Sequence, residues 1–201
     1  MRRRLFQQPA SGPEGILLDL ALGEVGQGYG LPVLSCGLST DAKELCLQAG
    51  VDGGTATFLT MLARADLLTG AGLLDSAQLL YLPKLVLDAE VVRQAGRLRR
   101  GLALDDEHVL LSLIAGVGPG GHFLGARETR RYLRDGEHLM PRLFVRGTYD
   151  AWAAERASEG ERAARVVDEI LATHQPKPLP DGAGDRIEGI IGAAAAELAA
   201  D

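Results

Sequence analysis

Apolar residues recur at helical spacing near the start of the chain. Glycines at positions 28 and 30 follow them, and successive glycines end a helix. The pattern predicts a first helix that begins near Pro13 and ends near Gly28. The apolar positions that define it are Ile16, Leu17, Leu20, Ala21 and Val25.

A short, nearly uncharged run follows at residues 31–36. Such a run is typical of a strand covered on both faces in a parallel sheet. Residues 41–49 and 54–65 then have helical patterns, and residues 66–69 resemble a second short strand. Strand, helix and strand in this order predict a right-handed crossover between parallel neighbours, with the loops after both strands on one face.

Beyond Gly72 the pattern becomes mainly helical. One predicted helix has its apolar face at Leu85, Val91, Val92, Ala95 and Leu98, and the next has Leu110, Leu111, Leu113 and Ile114. Asp105 is placed to cap the second of these, and the glycines and proline of residues 116–121 end it. Further helices are predicted at residues 127–134, 149–172 and 185–199, with an extended, proline-rich linker at 175–180 before the last.

These elements predict an α/β fold with a largely helical C-terminal half. We expect a flexible N-terminus at residues 1–14, one main domain at 15–174, and a linker with a C-terminal helix at 175–201. A chain of 201 residues with 46% hydrophobic content is long enough to bury one core.

Charge and cysteine usage exclude several classes of function. The formal net charge of −6 disfavours binding to nucleic acid or to an anionic membrane. No apolar run reaches the roughly 20 residues of a membrane helix. Cys36 and Cys46 form no CxxC pair and have no histidine nearby, so no metal site or disulfide scaffold is predicted and a reducing cytoplasm fits.

The loop after the first predicted strand is the best position for a binding site. Asp41 and Glu44, with Gln48, would share one face of the following helix, and ligands bind at the carboxyl ends of parallel strands. Ser39, Thr40 or Asp41 would serve equally well as a helix cap. Tyr81 lies beyond the second strand, where it could face the same site or fill the core.

The glycine-rich segment at residues 116–125 has neither the preceding strand nor the lysine of a phosphate-binding loop. Within it, Gly120, Gly121 and His122 are candidates for contact with a cofactor or a partner. The alternative is a tight turn in which His122 only satisfies a carbonyl group.

Several segments resemble the trimethylamine methyltransferase family, specifically its C-terminal part. The likeness extends from about Gly15 to the end of the chain, with the segments in the same order. The segments that carry it are residues 39–44 (STDAKE), 48–50 (QAG), 84–90 (KLVLDAE), 117–125 (VGPGGHFLG), 141–144 (PRLF), 149–152 (YDAW) and 171–174 (LATH).

The resemblance implies a TIM-barrel enzyme that moves a methyl group from a methylated amine to the cobalt of a partner corrinoid protein. The corrinoid, a cobalamin, would then sit on the partner, and this chain would bind no cofactor itself. Pyrrolysine is absent, so the likeness is to the branch that includes glycine betaine methyltransferases. Asp41, Glu44 and Tyr81 are our candidates for holding a quaternary amine by charge and cation–π contact.

Length sets this chain apart from a complete barrel, which takes roughly 250 residues and eight strands. The resemblance therefore implies a truncated or split enzyme, with a missing N-terminal half or a second copy as a further partner. The alternative is a non-catalytic barrel fragment that acts as a binding or assembly module.

Overall fold

A computed structural model describes residues 11–199. The chain divides into two compact units, with the boundary after Asp168. Most of the expected flexible N-terminus lies outside the described residues, and its last two residues, Pro13 and Glu14, already belong to the first helix. The elements in chain order are α1 Pro13–Gly28, β1 Leu34–Ser35, α2 Leu47–Leu62, β2 Leu67–Leu68, β3 Leu73–Leu74, β4 Leu79–Leu80, α3 Leu82–Arg100, α4 Asp106–Val109, α5 Leu111–Val117, α6 Arg127–Arg134, α7 Tyr149–Glu155, α8 Glu159–Thr173 and α9 Ala183–Leu198.

The predicted strand–helix–strand unit is confirmed. Strands β1 and β2 are parallel, with Leu34 opposite Leu67 and Ser35 opposite Leu68, and α2 connects them. The architecture is therefore mixed α/β, with a helical C-terminal half as expected. Within residues 11–199 the parallel sheet has two strands and no closed barrel is formed.

The helices between the two strands differ from the prediction. One helix, α2, begins at Leu47 and continues to Leu62, instead of two at 41–49 and 54–65. Residues 40–42 form no helix because the carbonyl groups of Thr40 and Ala42 accept hydrogen bonds from Ser76 and Asp75. The glycines do not break α2, because Gly53 is buried against the backbone of Leu38.

The structure contains a β-hairpin that the sequence pattern did not predict. Strands β3 and β4 are antiparallel, with Leu73 opposite Leu80 and Leu74 opposite Leu79. The turn between them places Asp75, Ser76 and Ala77 at positive φ. The hairpin was missed because its leucine doublets do not alternate with polar residues and its turn contains no glycine or asparagine.

Two predicted helices are each divided by a residue in the left-handed conformation. Leu110 has φ 54° and separates α4 from α5, while Arg156 has φ 51° and separates α7 from α8. The predicted cap at Asp105 is confirmed, since its side chain accepts a hydrogen bond from the His108 amide.

The buried face of α3 also differs from the prediction. Leu85 and Leu98 are exposed, and of the five residues predicted for this face only Ala95 is fully buried. The residues that α3 buries are Pro83, Lys84, Leu87, Asp88, Glu90 and Ala95. Leu87 packs with Leu143 and Ala163, so this core cluster joins α3 to α8.

The last unit contains the end of α8 and the helix α9. Residues 174–180 form neither helix nor strand, as predicted for the proline-rich linker. None of the residues of α9 is buried, including its apolar stripe at Ile187, Ile190 and Ile191. No helix within residues 11–199 is both long and apolar enough to span a membrane.

Candidate functional site at the carboxyl edge of the parallel strands

The loops that follow β1 and β2 meet at one edge of the sheet, as predicted. The amide of Leu38 donates to the carbonyl of Thr69 over 3.2 Å. Gly70 has φ +92°, and a Cβ at this position would stand 2.8 Å from the Ser39 nitrogen. Only glycine therefore allows the two loops to come this close.

A buried ion pair on α3 ties these two loops together. The Lys84 ammonium donates to the carbonyl of Leu38 over 2.8 Å and to the Asp88 carboxylate over 2.6 Å. The same carboxylate oxygen accepts the amide of Gly72 over 2.7 Å. One pair thus contacts the loop after β1 through Leu38 and the loop after β2 through Gly72.

The surroundings of this pair have low polarity. The side chains of Lys84 and Asp88 are only 2% and 8% exposed, so water screens their charges little. Burial raises the pKa of the Asp88 carboxyl, and the hydrogen bonds from Lys84 and Gly72 oppose that rise. We therefore regard the pair as interdependent, since each charge compensates the burial of the other.

Buried hydroxyl groups fix the rest of the edge. Thr40 is fully buried and donates to the Asp52 carboxylate of α2 over 2.7 Å, while Thr57 donates to the carbonyl of Gly37 over 2.9 Å. At the end of β1, Ser35 is hydrogen-bonded to Asp19 of α1. Helices α1 and α2 thereby hold the backbone that precedes the site.

The predicted site residues Asp41 and Glu44 precede α2, so they do not share a helix face with Gln48. Nor does Asp41 cap that helix, whose N-cap is Cys46. The Asp41 carboxylate accepts a hydrogen bond from Ser76 in the hairpin turn, and Glu44 is exposed. Asp41 therefore lies beside the hairpin, and its role in binding remains a prediction.

Tyr81 follows β4 and is the N-cap residue of α3. Its backbone amide donates to the carbonyl of Gly72 over 2.8 Å, and the residue is 40% exposed. No hydrogen bond joins it to Asp41 or Glu44 among the described residues. The structure thus places Tyr81 next to the loop after β2, and its role as an amine ligand stays a prediction.

The glycine-rich segment lies between α5 and α6, and Gly120, Gly121 and His122 are all exposed. Gly120 has φ +79°, and a Cβ on Gly121 would lie 2.6 Å from the carbonyl oxygen of Val117. Local turn geometry therefore explains both glycines. The proposed role of these residues at a cofactor or partner interface remains a prediction.

A cavity of about 550 Å³ opens beside the ion pair. Its wall is formed by the start of α2, the first half of α3 and the start of α8. Lys84 and Asp88 supply polar groups, while Leu45, Leu87 and Phe144 supply apolar ones. This is the composition expected of a small-molecule pocket, an apolar surface with a few convergent polar groups.

The central residues of this site were not predicted from the sequence. Lys84 and Asp88 stand four positions apart, with Leu87 between them, so the three share one helix face. A lysine and an aspartate at this spacing are the local signal, but the same spacing is typical of ion pairs on exposed helix surfaces. The apolar face predicted for this helix begins with Leu85 and includes neither Lys84 nor Asp88.

The two cysteines of the chain are free and exposed. Within residues 11–199 no cluster of three or more histidine, cysteine, aspartate or glutamate side chains could hold a metal ion.

The chain matches one protein family over nearly its whole length. The family described as trimethylamine methyltransferase (MTTB) matches residues 8–198.

Individual relatives have about 30% identity. A trimethylamine methyltransferase MttB from Methanosarcina thermophila is 32% identical over 173 residues, which cover 85% of this chain and 35% of that protein. A glycine betaine methyltransferase from Desulfitobacterium hafniense strain Y51 is 29% identical over 180 residues, covering 89% of this chain and 37% of the relative. The chain thus spans about a third of the length of these relatives.

Proposed function

Because the chain belongs to the trimethylamine methyltransferase family, we propose that it takes part in moving a methyl group from a methylated amine to the cobalt of a corrinoid protein. The observation that carries the proposal is the family match over residues 8–198. The corrinoid belongs to the partner protein in this proposal, and the chain itself holds no cofactor.

The donor we propose is a quaternary amine such as glycine betaine. One relative is named as a glycine betaine methyltransferase. A quaternary amine leaves as a neutral tertiary amine, while the reduced cobalt of the partner supplies the nucleophile. The protein then needs to orient the donor and exclude water, and it needs no general acid.

The architecture of the site supports this positioning role. Parallel α/β folds bind their ligands at the carboxyl ends of the strands. Here the two loops at that edge are held by the buried Lys84–Asp88 pair. We propose that this edge forms part of the amine site and that β1 and β2 are two strands of a TIM barrel whose other strands lie outside this chain.

The test is methyl transfer from glycine betaine to a reduced corrinoid protein. The reaction is monitored through the change in the absorption spectrum of the cobalt. We expect turnover when the part of a family member that lies outside the matched third is added to the chain. Asp41→Asn should reduce that turnover, and Asp181→Asn, a charge change in the linker region, should not. If the assembled complex transfers no methyl group, the result contradicts this proposal and favours the second candidate function.

The second candidate function is a non-catalytic binding or assembly module. The observation that favours it is the exposure of Leu34 and Leu67 on the parallel strands, which are 55% and 56% exposed. Apolar surface of this kind indicates a contact with another protein segment. A module would form that contact and transfer no methyl group.

A further inference from the structure

A second pocket, of about 260 Å³, lies at the loop between α6 and α7. Three arginines line it, namely Arg142 and Arg146 from the loop and Arg162 from α8. The acidic residue in its wall is Glu155, whose carboxylate already accepts a hydrogen bond from Arg165 over 2.8 Å. The pocket therefore has an excess of positive charge, although the chain as a whole has a formal net charge of −6.

Two of these arginines have no ionic partner among residues 11–199. Arg142 and Arg146 are exposed, and neither guanidinium takes part in an ion pair or a hydrogen bond in that part of the chain. A guanidinium offers its donors in a rigid fork that fits the oxygens of a carboxylate or a phosphate. Two such groups at one pocket raise the local concentration of anions.

Arg162 adds a buried charge to the pocket wall. Its side chain is only 13% exposed, and it donates to the carbonyl of Leu143 over 2.7 Å and to the carbonyl of Ala157. Its Nη2 has no hydrogen bond within the described part of the chain and lies 3.6 Å from the Glu159 carboxylate, which is 56% exposed. The charge of Arg162 is therefore only partly compensated, and an anion in the pocket would compensate it further.

The loop that forms the pocket is fixed to the core. Leu143 is 5% exposed and packs with Leu87 and Ala163. The amide of Arg142 donates to the buried carboxylate of Glu90 over 3.2 Å, while the hydrogen bond from α8 holds the carbonyl of Leu143. Because the backbone is held at two consecutive residues, a ligand would bind here with little loss of loop entropy.

We propose that this pocket binds the carboxylate or phosphate group of a small molecule, with Arg142 and Arg146 donating to its oxygens. The pocket is slightly smaller than the roughly 300 Å³ at the lower end of typical ligand sites, so a compact anion fits it. Phe144 supplies apolar surface for the rest of the molecule. The inference goes beyond the proposed function, because this pocket shares only Phe144 with the cavity beside the Lys84–Asp88 pair.

The test is isothermal titration calorimetry of the full chain with inorganic phosphate and with malonate, at low ionic strength. We expect one-to-one binding of at least one of these anions, and the tighter of the two identifies the group that the pocket prefers. Arg142→Gln and Arg146→Gln should each weaken that binding at least about tenfold, because each removes a charge-assisted hydrogen bond. Both side chains are exposed, so neither change should lower the melting temperature.

Arg99→Gln is the matched control, since Arg99 is an exposed arginine in the last turn of α3 and does not line the pocket. This variant should bind the anion as the unchanged chain does. Binding that resists both pocket substitutions, binding that Arg99→Gln weakens equally, or no binding of either anion would overturn the proposal. Methyl transfer is not measured in this experiment, so its outcome does not bear on the proposed function.

Discussion

The Lys84–Asp88 pair is the side-chain contact whose loss should destabilise the protein most. Asp88→Leu would leave the buried ammonium of Lys84 without its carboxylate, and we expect the free energy of unfolding to fall by about 3–5 kcal/mol. Lys43→Met is the matched control, because Lys43 is 62% exposed in its pair with Asp75. That change should cost about 0–1 kcal/mol.

Urea unfolding of both variants measures these differences. Equal losses from the two would mean that Lys84 reaches water or another partner, contrary to its burial. A double variant, Lys84→Met with Asp88→Leu, should recover part of the stability because it removes both charges together.

His108 forms a second side-chain contact, and the strength of this contact depends on pH. Its ring stacks on Tyr132 with centroids 5.2 Å apart, and its Nδ1 lies 2.6 Å from the Asp105 carboxylate. The hydrogen bond to Asp105 raises the pKa of His108 above its ordinary 6.5, while the bond with His108 lowers the pKa of Asp105 below its ordinary 3.8.

The directions of the two pKa shifts determine the pH range in which the His108–Asp105 pair stabilises the fold. The contribution of His108 to stability is complete below its unfolded pKa and is lost as the pH rises through its raised folded pKa. The contribution of Asp105 is present above its own unfolded pKa and is lost as the pH falls through its lowered folded pKa. The pair should therefore stabilise the fold most between about pH 4 and pH 6.5.

Asp105→Asn tests this contact, because asparagine keeps the helix cap and removes the charge. We expect the pKa of His108, followed by NMR, to fall toward its ordinary value. Asp185→Asn in the first turn of α9 removes the same charge elsewhere and serves as the control. An unchanged His108 titration in Asp105→Asn would show that the pair does not persist in solution.

Among the elements, α2 contains a glycine whose replacement by alanine should stabilise the protein, whereas the same replacement just after β1 should destabilise it. Gly54 lies inside the helix, and nothing stands within 4 Å of a Cβ there. Gly54→Ala should therefore raise the free energy of unfolding by about 0.5–1 kcal/mol, because alanine loses less backbone entropy on folding.

Gly37→Ala is the contrasting change at the end of β1. Its Cβ would stand 3.1 Å from the Leu68 side chain and 3.2 Å from the Thr60 hydroxyl, so we expect a loss of about 1–3 kcal/mol. Thermal unfolding of the two variants would measure the gain in stability of Gly54→Ala and the loss in Gly37→Ala. A loss at Gly54 equal to that at Gly37 would indicate that the cavity near α2 is occupied.

Elements with a clear local pattern of apolar and capping residues could be predicted from the sequence. The helix α1, the crossover between β1 and β2 and the cap at Asp105 were all predicted. The hairpin was not, because long-range hydrogen bonds from Asp75 and Ser76 to residues 40–42 determine it. The pair of Lys84 and Asp88 was missed for the same reason, since its burial depends on loops distant in the sequence.

For the whole molecule, the final helix should contribute little to the free energy of unfolding. No residue of α9 is buried, and the linker before it has no regular structure. Ending the chain after His174 should leave the free energy of unfolding within about 0.5 kcal/mol of the full chain. A large drop in the urea midpoint would show that the apolar stripe of α9 is covered in solution.

The ion pair on α3 also bears on how this chain can diverge. A lineage that changed Asp88 first would inherit an uncompensated buried cation, and one that changed Lys84 first would inherit a buried carboxylate. Either intermediate would be less fit before the second change arrived. Descendants should therefore retain both residues or exchange both together, so that substitutions at positions 84 and 88 are coupled.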